Sequence, residues 1–184
     1  MLAVCVFATG MVYSAFGHGV GYETLPAQML GDRKVAMEVN SNVDSATSKR
    51  QITFSLFGAD TGVTLRDVKY HVKTIKSGEV LFEGNYDAKN GILILDLIAD
   101  DSDTITTQEK TGEGLFGSLL GTGKNSVEAR GAIFKFGGLY RFSIDVLEAE
   151  GYSKNTQAPL RFEAGISFPA IWRSEERRVG KECR

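Results

Sequence analysis

The chain is short of the residues that most often carry chemistry: among 184 residues there are two His, two Cys, one Trp and three Pro. Cys5 lies in an apolar opening run and Cys183 among the last charged residues. Between them no cysteine is present to build a disulfide framework, a CxxC zinc site or a thiol nucleophile. Only His18 and His71 could serve as an imidazole base or ligand. Lys and Arg form no clustered basic stretch, and nucleic-acid binding needs such a cluster to neutralise phosphates. Neither GxGxxG nor GxxxxGK[ST] occurs, so nucleotide binding by those loops has no support. Ser118 sits in Phe-Gly-Ser-Leu-Leu-Gly, without the first glycine of a nucleophile elbow.

The two ends read differently from the middle. Met1 to Gly17 carries no charge, and Leu2 to Val12 is mostly apolar. Such a run is shorter than the roughly 20 residues that span a bilayer. It suits a secretory h-region, with Ala15 and Gly17 as the small residues before a cleavage site. No Lys or Arg precedes it, so the basic n-region is missing. Cleavage after Gly17 would make His18 the mature N-terminus. At the other end, Arg173 to Arg184 reads RSEERRVGKECR, and all twelve residues resemble the translation of a short-read sequencing adapter in one frame. The expectation is therefore a signal peptide over 1–17, one domain over 18–172 truncated at its C-terminus, and a non-native tail over 173–184. Without that tail 16 of 21 basic and 20 of 23 acidic residues remain, a net charge of −4 in place of −2.

From Val35 onward the apolar period is two, not 3.6. Val35, Met37 and Val39 alternate with polar or small residues, as do Ile52, Phe54 and Leu56, and Val68, Tyr70 and Val72. Lys76-Ser77-Gly78-Glu79 predicts a turn, with Val80 to Phe82 as the returning strand. Asn90-Gly91 supplies a further turn. Ile92 to Ile98 is nearly all apolar, as expected of a strand covered on both faces. Val127 to Ala132, Leu139 to Leu147 and Leu160 to Phe168 add more strands. The pattern predicts an all-β, antiparallel immunoglobulin-like sandwich of about eight strands with one short helical loop near 112–123.

That loop, GEGLFGSLLGTG, groups Leu115, Phe116, Leu119 and Leu120 at helical spacing. They are expected either to dock on the core or to form an exposed patch for a partner or a membrane surface. Asp100, Asp101 and Asp103, with Asp96 nearby and Asp60 in a separate turn, lack the spacing and glycine of an EF-hand, so a solvated loop is the expectation. A mature His18 would offer an α-amine and an imidazole, a pair suited to copper. His71 is the only second imidazole, and its phase places it beside Lys69 and Lys73 on the face opposite Val68, Tyr70 and Val72.

The stretches His18-Gly-Val-Gly-Tyr-Glu-Thr-Leu-Pro, Gly31-Asp32-Arg33, Ile52-Thr-Phe-Ser-Leu, Gly131-Ala-Ile-Phe and Gly137-Gly-Leu-Tyr-Arg-Phe resemble a family of exported proteins of ammonia-oxidising archaea. The likeness runs over most of 18–169. It implies the N-terminal domain of a longer exported protein with no assigned activity. Gly-Gly-Leu-Tyr is also similar to Ig-like domains of copper-handling periplasmic proteins. The functional expectation is a non-enzymatic cell-envelope module that binds or assembles with a protein or envelope component, without nucleic acid and with membrane association only through a missing C-terminal part. A copper-binding or copper-delivery domain comes second and a hydrolase third.

Overall fold

Alternation of apolar and polar side chains along successive strands gives each strand one face to bury, and two sheets bury those faces against each other. The computed structural model describes residues 21–111, 125–150, 152–153 and 159–171. His18, the apolar group Leu115, Phe116, Leu119 and Leu120, Ser118, the leader expected over 1–17 and the tail expected over 173–184 all lie outside the described residues.

The strands are β1 (Tyr22–Leu30), β2 (Arg33–Asp44), β3 (Lys49–Gly58), β4 (Val68–Lys76), β5 (Glu79–Ala88), β6 (Ile92–Ala99), β7 (Thr106–Thr111), β8 (Asn125–Gly131), β9 (Gly138–Ala149), β10 (Tyr152–Ser153) and β11 (Leu160–Phe168). A 3-10 turn, Ala132–Lys135, joins β8 to β9. One sheet has the order β1-β2-β3-β6-β8-β7; the other runs β5-β4-β9, with β10 and β11 both paired to the far side of β9. The all-β sandwich expected from the period is present.

β4 shows how the period becomes a layer. Val68, Tyr70, Val72, Thr74 and Lys76 are buried, while Lys69, His71, Lys73 and Ile75 lie on the outer face. In β9, Tyr140, Phe142, Ile144 and Val146 point inward as expected. Phe54 of the six-stranded sheet meets Phe142 of the other edge-to-face, with ring centroids 5.8 Å apart. The two-residue turn between β4 and β5 has Ser77 and Gly78 at φ 53° and 87°. Two positive φ values match the right-handed strand twist of a tight hairpin.

Two expectations need correction. The sandwich is not wholly antiparallel: β8 pairs with β6 in parallel and with β7 antiparallel. β8 inserts between β6 and β7, and no local pattern encodes that insertion. Second, β6 is fully buried on its core face and mostly half-buried on the other. Leu93, Leu95, Leu97 and Ala99 enter the core, whereas Ile92, Ile94 and Ile98 are half-buried on the outer face. Asp96, within the predicted strand Ile92 to Ile98, lies on this outer face of β6 and is buried.

Candidate functional site

The most unusual chemistry lies inside one end of the sandwich. Arg50 is in phase with Ile52, Phe54 and Leu56, and Lys76 is in phase with Val68, Tyr70 and Val72. The strand period therefore carries both cations inward, and both are buried. Sequence reading by residue type missed them, although their phase was a usable signal.

Both cations face backbone oxygens. Arg50 donates to the carbonyls of Phe134, Phe136 (3.3 Å) and Pro169 (2.7 Å). Lys76 Nζ donates to Ile133 O (3.2 Å), Phe136 O (3.1 Å) and Tyr140 Oη (3.0 Å). Aromatic faces complete the cage. The Arg50 guanidinium lies 5.7 Å from the Tyr140 ring centroid and 5.5 Å from that of Phe168, and Lys76 Nζ lies 4.6 Å from that of Tyr140. Such faces attract cations through the ring quadrupole.

Among the described residues no carboxylate pairs with either cation. Burial pushes the Lys76 ammonium below its usual range, and Arg50 beside it adds to the effect. Burial likewise lowers Arg50. Burial pushes the Tyr140 hydroxyl up to about 12, against an opposing pull from Arg50. All three ammonium protons of Lys76 have an acceptor, so the group acts as a donor and not as a free amine. Among the described residues Arg50 Nε and Thr74 Oγ1 are buried without a partner. The arrangement closes the end of the sandwich: it satisfies the carbonyls of the 3-10 turn and ties that turn to the segment after β11.

The outer face of the five-stranded sheet carries a row across four strands, Asn85–His71–Asp145–Arg161, set by register. His71 Nδ1 lies 2.8 Å from Asn85 Oδ1. Arg161 grips Asp145 with two parallel bonds, Nε to Oδ1 at 2.7 Å and Nη2 to Oδ2 at 3.0 Å. Neighbouring rows pair Lys73 with Glu83 at 3.0 Å, and Lys69 with Asp87 at 3.6 Å and Glu148 at 3.8 Å. His71 thus stands with Lys69 and Lys73 on the outer face, where the alternation placed it.

A second row crosses the outer face of the six-stranded sheet: Asn42, Gln51, Asp96, Glu128 and Gln108. Asp96 and Glu128 are register partners, a like-charge juxtaposition that cations offset. Lys49 reaches Asp96 at 2.7 Å and Gln51 donates to it at 2.9 Å. Lys110 and Arg130 hold Glu128. Burial alone would raise the Glu128 carboxyl, but bonds from Lys110 and Arg130 bring it below its usual range.

In the acidic loop, Asp101, Ser102 and Asp103 are exposed. Asp100 accepts from the Ser102 N–H at 2.9 Å, and Asp101 accepts from Lys135 at 2.5 Å. Among the described residues no group of three or more His, Cys, Asp or Glu could hold a metal ion. No helix among them is long and apolar enough to cross a membrane. No protein-family model matches the chain, and no curated protein or solved structure matches it.

Proposed function

We propose that this chain is an exported cell-envelope module that works by binding or structural association and catalyses no reaction. The observation that carries the reading is how its most unusual polar groups are used. Arg50 and Lys76 are spent on the protein's own carbonyl oxygens, and the outer faces hold their ionic groups in cross-strand rows. Both uses rigidify a scaffold. A rigid sandwich with polar outer faces suits recognition through its surface, edges and loops. Export is supported by the uncharged apolar stretch Leu2 to Val12 with Ala15 and Gly17 behind it.

The test is fractionation of cells expressing the tagged full chain, with the N-terminal residue of the product read by mass spectrometry. The expected product lies in the envelope or medium and begins at His18. An uncleaved product retained in the cytosol sinks the reading.

A further inference from the structure

The outer face of the five-stranded sheet pairs its cations with carboxylates, and Arg141 is the exception among the described residues. Lys73 meets Glu83, Lys69 meets Asp87 and Glu148, and Arg161 grips Asp145. Arg141 is exposed on β9, between the inward-facing Tyr140 and Phe142. Among the described residues no carboxylate pairs with it and no oxygen accepts from its guanidinium. The nearest outer-face carboxylate by register is Glu163, opposite Ser143, and its charge acts on Arg161.

Register shows what surrounds this cation. Arg141 stands in the row Val80–Ile75–Arg141–Gly165, which crosses four strands without another charge. Val80 is 51% exposed, and Leu139, two residues before Arg141 on the same face, is 40% exposed. Ile75 is half-buried between them. Gly165 contributes no side chain, and the space its Cβ would fill lies 3.6 Å from Leu139. One guanidinium thus rises from an aliphatic floor. The floor is also fixed from beneath. Ile75 precedes Lys76 and Leu139 precedes Tyr140, and these two are joined inside the cage at 3.0 Å.

We propose that this corner of the sheet binds a protein segment that presents a carboxylate beside an aliphatic side chain, Glu or Asp next to Leu, Ile or Val. The Arg141 guanidinium takes the carboxylate through two parallel N–H···O bonds, as Arg161 takes Asp145. The aliphatic group lies on Ile75, Val80 and Leu139. An exposed ion pair contributes little by itself, so recognition needs both halves of the segment. A second copy of this chain is the wrong occupant. A two-fold contact centred on this row brings the two Arg141 groups together, and like charges disfavour it. This proposal rests on the binding-module reading and names the class of partner.

The experiment titrates the full chain with a short peptide carrying Leu-Glu-Leu at its centre and follows backbone amides by NMR. Shifts are expected at Ile75, Val80, Leu139, Arg141 and Gly165, with a Kd on the order of 1 mM. Arg141→Gln should weaken binding about tenfold or more at an unchanged melting temperature, because Arg141 has no partner within the fold. Arg141→Lys keeps the charge without the planar fork and should recover only part of the affinity. Three results overturn the proposal: no shifts with Leu-Glu-Leu, equal binding of a Leu-Gln-Leu peptide, or unaltered affinity in Arg141→Gln. A concentration-dependent dimer that shifts the same amides overturns it in favour of the second copy. The same shifts with phosphatidylglycerol vesicles and none with the peptide overturn it in favour of a membrane surface. None of these bears on the envelope location or His18 processing, so the broader reading stands or falls separately.

Discussion

Arg50 and Lys76 donate to the same carbonyl oxygen, that of Phe136, at 3.3 Å and 3.1 Å. Two cations on one neutral acceptor, with no carboxylate among the described residues, make an arrangement whose balance is unusual. Each cation raises the cost of burying the other, yet each is the donor for carbonyls that have lost access to water.

Arg50→Met tests which side of that balance wins. Replacing a buried charge by an apolar side chain is neutral or favourable when its partners are replaced too. Here the carbonyls of Phe134, Phe136 and Pro169 remain. An acceptor left unsatisfied costs about 1–3 kcal/mol, so unfolding stability is expected to fall by about 2–4 kcal/mol in urea. Lys76→Met should cost less, because the Tyr140 hydroxyl lies 3.2 Å from Ile133 O and 3.1 Å from Phe136 O and can donate to one of them. The double variant should lose more than the sum, since each single change relieves the same repulsion and leaves the shared Phe136 carbonyl one cationic donor. Wild-type stability for Arg50→Met would show that the cage does not hold this end together.

The same cluster predicts an alkaline limit. Tyr140 loses its proton near 10 when unfolded and near 12 when folded. Between those values the folded state binds more protons, so its advantage is complete below pH 10 and is lost as pH rises toward 12. Burial raises Tyr70 in the same direction. Lys76 acts oppositely. Its folded value lies below 10.5, so stability gains from this group as pH rises through that value and stops gaining at 10.5. Thermal melts from pH 9 to 12 should therefore fall more steeply in Lys76→Met and less steeply in Tyr140→Phe. Identical slopes in all three proteins would refute the assignment.

Gly91 and Gly78 form a matched pair of turn glycines, with φ 74° and 87°. A Cβ at Gly91 would run into the Leu65 carbonyl, whereas one at Gly78 meets nothing within 4 Å. The Gly91 carbonyl also accepts from the buried Tyr70 hydroxyl at 2.7 Å. Gly91→Ala is expected to cost well over about 1 kcal/mol, through both strain and collision. Gly78→Ala should show only the strain of a left-handed residue, about 1–2 kcal/mol. Equal losses in urea titrations would mean that the collision at Leu65 relaxes freely.

The sandwich was legible wherever an apolar stripe had to be buried, as in Val68 to Val72 or Tyr140 to Val146. β7 was not, because Thr106 to Lys110 are all exposed and leave the period nothing to act on. The parallel pairing of β6 with β8 was hidden for another reason: register between distant strands is decided by three-dimensional placement, not by either strand's own pattern. Lys76 was legible in phase but not in type. The period pointed it inward, while its charge and the Ser77-Gly78 turn after it suggested a surface residue. His71 was placed correctly because phase and residue type agreed.

That placement gives the copper reading its own discriminating prediction. His71 sits on an outer sheet face between Lys69 and Lys73, with Nδ1 engaged by Asn85 at 2.8 Å. Neighbouring ammonium groups oppose an added cation, and a ligand on a sheet face is held in position by its strand. A protein beginning at His18 offers amine and imidazole from one residue, without help from this face. Submicromolar Cu(II) binding by calorimetry should therefore vanish in His18→Ala and persist unchanged in His71→Ala. Loss of binding in both variants would instead require the N-terminus to reach the outer face of β4. Absence of heat with the His18-terminated protein removes copper from its function and leaves the envelope-module reading alone.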